Sequence, residues 1–72
     1  MSNLVDALIS KYQGEVQIAK ANIDVLLNQP TGVADHPDMA DTLDGLVKKL
    51  HSAQEQLFAL RNLKNVKDKD SE

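Results

Sequence analysis

Cysteine is absent from this chain, and with it go disulfide staples, thiolate nucleophiles and thiolate metal sites. Aromatic residues are nearly absent too: one Phe, one Tyr and no Trp leave little for base stacking or for an aromatic core. Two prolines and three glycines in 72 residues leave few points at which a helix must stop. No apolar run approaches the roughly 18–20 residues of a membrane span, and no signal-peptide pattern opens the chain, so a cytoplasmic location with no membrane partner is expected. There is no excess of positive charge. A net charge of −3 gives no basic field for a phosphate backbone, and is too small for an acidic imitation of DNA, so no nucleic-acid partner is expected.

What the chain does have is Leu, Val, Ile and Ala at helical spacing. Val5, Ile9, Tyr12, Val16, Ala19, Ile23 and Leu26 recur at alternating intervals of four and three, the a and d positions of a heptad. Met39, Leu43, Leu46, Leu50, Ala53, Leu57 and Leu60 repeat the pattern. Between the two runs, "LLNQPTG" stops a helix: Asn28 suits a C-cap, Pro30 cannot continue the ladder and Gly32 frees the backbone. Ser2 or Asn3 can cap the first helix, with Asp6 in its first turn. In the second, Asp38, Asp41 and Asp44 come early and Lys48, Lys49, Arg61 and Lys64 late, in keeping with the helix dipole. Strand signals are missing. The fold predicted is all-α, an antiparallel two-helix hairpin with helices at about 3–27 and 37–64. Residues 1–64 form the hairpin, and 65–72 ("NVKDKDSE") a polar disordered tail.

The stretch "VADHPDMADTL" opens the second helix. Proline is favoured at the first helical position, and the residue before it avoids the α region. His36 is therefore placed at the N-cap, with Pro37 and Asp38 in the first turn; alternatively Asp35 caps and Asp38 closes a short capping box. The tripeptide His36-Pro37-Asp38 is similar to the one that J-domain co-chaperones carry in a loop between helices. That resemblance covers three residues. The short basic helix that leads into the tripeptide in that family has no counterpart, since the only cations before His36 are Lys11 and Lys20, and the tyrosine-leucine-glycine signature is missing. A helix start explains the stretch better than a co-chaperone motif.

A second resemblance is broader. From Leu26 to Leu60, the helix end, the connector "NQPTGVADHPD" and the Leu-rich second helix resemble short helical proteins of tailed bacteriophages. Those carry an "N-P-x-G-V-x-x-H-P-D" type connector; here Gln29 separates Asn28 from Pro30, and Thr31 separates Pro30 from Gly32. The resemblance implies a phage accessory protein, placed in the host cytoplasm, and transfers no functional residue.

Catalytic chemistry is not expected. Ser10 and Ser52 have no base in a triad arrangement, no glycine-rich phosphate loop exists, and no cofactor is called for. Asp35, His36, Asp38 and Asp41 cluster without the alternating spacing of a calcium loop, so no metal site is assigned. The informative feature is a surplus of apolar side chains outside the seam. Leu4, Leu8, Ile18 and Val25 occupy c and g positions of the first helix; Ala40, Val47 and Phe58 occupy e and b positions of the second, with His51 beside them. A two-helix seam does not need them, and stripes this broad suit bundle helices. Those eight residues are the predicted interface. The chain is expected to pair with itself, as a homodimer forming a four-helix bundle or as a higher oligomer, and to act as a non-catalytic module binding a host or viral protein; the alternative is a structural component of a phage particle. Gly14 falls at the outward f position and Gly45 at c, where a glycine either is a tolerated imperfection or permits close approach of another backbone. His51 is either an ordinary surface side chain or a charge switch near neutral pH.

Overall fold

The computed structural model describes residues 3–28 and 38–70, with side chains to residue 65. Two helices account for nearly all of them, α1 (Asn3–Leu27) and α2 (Met39–Asp70), and no strand occurs among the described residues. They run antiparallel. Near the start of α1, Asp6 meets Lys64 of α2 at 2.9 Å; further along, the Gln56 amide donates to the Tyr12 hydroxyl at 3.3 Å. The result is a rod of 58 × 14 × 13 Å.

The heptad pattern decides which side of each helix is covered. Every a and d residue of both runs is buried or half-buried, and no other described residue is. The centre of the core is Val16, Ala53 and Leu57, with Ile9, Tyr12 and Leu50 packed against it; Ala19 and Leu60 are buried beside them. Alanine at positions 19 and 53 matters here, because a small seam residue lets the facing helix come close enough to enclose its larger neighbours. Even so, the core is thin. No large side chain is completely enclosed, and no polar or charged residue is buried among those described.

The ends follow local chemistry. At the C-terminus of α1 the Asn28 N–H donates to the Asp24 carbonyl at 3.0 Å, and the Asn28 side-chain amide donates to the same carbonyl and to the Asp24 carboxylate, both at 2.8 Å. Asn28 thus satisfies a carbonyl that the helix leaves without a partner, through its side chain as well as its backbone. At the start of α2 the Asp38 carbonyl accepts from the Thr42 N–H at 2.9 Å, which puts Asp38 in the turn just outside the helix, and Asp41 in the first turn. Asp35, His36 and Pro37, the other residues of the predicted cap, lie outside the described residues. The far end of α2 differs from expectation. The helix runs on through residues 65–70 instead of ending near 64. Nothing beyond Leu63 is a glycine or proline, so the backbone has no reason to leave the helix, and the Lys64–Asp6 pair anchors the last seam turn.

Candidate functional site

All eight residues of the predicted interface are exposed in the single hairpin. Leu4 is 80% exposed, Phe58 70%, and Ile18 and Val25 63% each, while Leu8 and Val47 are nearer the seam at 41% and 45%. Ala40 and His51 are exposed as well. Two further large apolar side chains join them, Leu27 and Leu63, which the sequence reading omitted. Their heptad positions, e and g, were the available signal. Each lies one turn from a residue that had been singled out or from a seam residue, but each sits on the flank opposite to its own helix's main apolar run or at the helix end.

The structure does not bring the eight together. Turning one helix end over end reverses its sense of rotation, so in an antiparallel pair g adjoins g on one side and e adjoins e on the other. Ile18 opens onto a groove of about 390 Å³ lined by Glu15, Ala19 and Asn22 of α1 and by Leu46, Lys49 and Ser52 of α2. Phe58 opens onto a different one, with Val16, Gln54, Leu57, Arg61 and Asn62. Ala40 shares a third with Leu27, Leu26, Met39 and Leu43. The first groove lies on the c/g side and the other two on the e/b side. The hairpin therefore carries two apolar flanks back to back. One is led by Leu4, Leu8, Ile18 and Val25 of α1, and the other by Ala40, Val47 and Phe58 of α2.

Around these flanks the charged groups are solvated and locally paired. Lys48 meets Asp44 at 3.2 Å, His51 Nε2 meets Glu55 at 3.2 Å, and both pairs are one turn apart on α2 with their side chains largely in water. The Lys11 ammonium stands 4.9 Å from the centre of the Tyr12 ring. Exposed pairs of this kind contribute little, about 0–1 kcal/mol each. Among the described residues, no group of three His, Asp or Glu side chains is placed to hold a metal ion, and no helix is long and apolar enough to cross a membrane. His51 faces outward toward Glu55 and has no contact from α1 among the polar pairs described. What the described residues offer is a pair of exposed apolar surfaces. No protein-family model, curated protein or solved structure matches this chain.

Proposed function

We propose that this chain is a non-catalytic helical interaction module that associates with itself, two hairpins building a four-helix bundle, and that it presents the surface left over to a second protein of host or virus. The observation that carries this reading is the exposure of Leu4, Ile18, Val25 and Phe58 on a rod whose seam is already filled. Covering a Leu, Ile, Val or Phe side chain is worth on the order of 1.5–3 kcal/mol. Several of them left in water forgo an amount comparable with the whole net stability of a small domain, about 5–15 kcal/mol. Self-association is the least demanding cover, since the second surface is always present at the concentration of the first.

The test is the mass of the purified chain by light scattering or sedimentation equilibrium over a wide concentration range. The expected result is a concentration-dependent rise to a dimer or a larger closed assembly. A folded species that keeps the mass of one chain throughout overturns the reading. The phage role follows from the Leu26–Leu60 resemblance and is tested separately, by capture from host lysate compared with capture from purified virions. Capture of a host protein that Ile18→Glu abolishes supports an accessory role. Capture of a virion protein alone supports a structural component of the particle.

A further inference from the structure

We infer that α2 pairs antiparallel with α2 of a second copy along its e/b stripe, about a two-fold axis that crosses the rod between residues 52 and 53. This rests on the self-association reading and assigns it a helix, a register and a symmetry. The stripe is Asp44, Val47, His51, Gln54, Phe58 and Arg61, all exposed. Its intervals are three, four, three, four and three, so it is a second seam on the same helix, on a side that α1 leaves open.

Read from its two ends, the stripe is its own complement. An antiparallel seam sets b positions opposite e positions. Asp44 then stands opposite the partner's Arg61, Val47 opposite the partner's Phe58 and His51 opposite the partner's Gln54, and the two-fold repeats each contact. Acid meets base at the ends, and apolar meets apolar between them. The heptad permits neighbouring registers, one repeat up or down. One puts Val47 on the partner's His51 and Asp44 on the partner's Gln54; the other puts Phe58 on the partner's Gln54 and Arg61 on the partner's His51. Neither joins opposite charges. Parallel pairing brings Asp44 to the partner's Asp44 and Arg61 to the partner's Arg61, and like charges set face to face oppose association.

The f positions beside the stripe agree independently. Lys48 and Glu55 lie on opposite sides of the axis, so each Lys48 comes alongside the partner's Glu55. Within the hairpin both make only exposed contacts one turn away, Lys48 with Asp44 and Glu55 with His51, each at 3.2 Å, which leaves them free to reach across. Arg61 pairs with no carboxylate among the described residues, and it lines the same groove as Phe58. Charges of opposite sign therefore bracket the exposed Val47 and Phe58. The α1 side of this flank, with Gln13, Gln17 and Lys20, is polar and exposed, which suits the rim of an interface. The c/g flank stays open for the second protein.

Sedimentation equilibrium of the full chain and its variants tests this, with helix content by circular dichroism as the check on folding. Phe58→Glu is expected to weaken self-association by at least about tenfold with helix content retained. Asp44→Arg alone and Arg61→Asp alone should each weaken it by at least about fivefold, since each sets like charges opposite one another at two places. Mixed in equal amounts, those two variants should recover association to within about twofold of wild type, as a one-to-one pair with both contacts restored. Ile18→Glu on the other flank and the outward Gly14→Ala should leave association within about twofold. Wild-type chain that never associates overturns the inference together with the reading beneath it. Association that Ile18→Glu breaks and Phe58→Glu spares overturns the inference alone. So do charge variants that associate like wild type, or a mixture of the two that associates no better than either by itself.

Discussion

The two halves of the hairpin use the same heptad and pack differently. In the part from the middle of the rod away from the connector, Val16, Ala19, Ala53, Leu57 and Leu60 are buried, although Val5, Ile9, Tyr12 and Leu50 there are only half-buried. In the half next to the connector, Ile23, Leu26, Met39, Leu43 and Leu46 stand at the same a and d positions and are only half-buried. The difference follows side-chain size. The closed part has the small Ala19 and Ala53 in its seam, Ala53 clustered with Val16 of the other helix, so the helices can approach there. The open half sets large against large, with Leu26 facing Met39 and Leu43 around a groove that also takes in Leu27 and Ala40. Two helices alone cannot enclose a layer made only of long side chains; additional helices can. A correct heptad therefore secures which side of a helix turns inward, and residue volume settles how far it is covered.

The contrast is most directly attacked at its centre. Leu57→Ala is expected to cost about 2–5 kcal/mol, or to unfold the chain outright, in urea titrations followed by circular dichroism at one protein concentration. Leu43→Ala, made in the open half, is expected to cost about half as much; equal losses would mean that the two halves are equally packed. Ala53→Leu tests the closed half from the other direction, overfilling it at a cost of about 1–3 kcal/mol in the same titration. Gly14 lies on the outward side of the closed half, and a Cβ there meets nothing within 4 Å. Gly14→Ala should then stabilise by about 0.5–1 kcal/mol and raise the melting temperature, without touching either half's packing. The smallest effect belongs to Asp6→Asn, which removes the pair with Lys64. Both side chains are about half exposed, so a loss below about 1 kcal/mol that shrinks as salt is added is expected.

Much of this arrangement was legible in the residues. The seam was read without error because period is a property of spacing, and spacing survives whatever the surroundings do to individual side chains. The surplus residues were legible as well, since an apolar residue outside a filled seam has nothing in its own helix to hide it. Their division into two opposed flanks was not drawn, because it depends on a step beyond either helix alone: c and g on one rod adjoin c and g on its antiparallel neighbour, so Phe58 and Ile18 end on different sides. Leu27 and Leu63 escaped notice for the same reason. The end of α2 was misjudged on composition. "KNVKDKD" is polar enough to suggest a loose tail, yet polarity governs burial, whereas continuation of a helix depends on backbone freedom, and no glycine or proline interrupts it.

A rod of 58 × 14 × 13 Å moves through water with far more drag than a ball of equal mass. On a sizing column a lone hairpin would elute ahead of globular standards and be miscounted as a pair. Two rods lying side by side gain mass while adding almost no length, so their sedimentation coefficient climbs faster than their diffusion coefficient falls; rods joined tip to tip behave in the opposite way. Frictional ratio, more than elution volume, is the quantity that tells a lone rod from two side by side or two tip to tip.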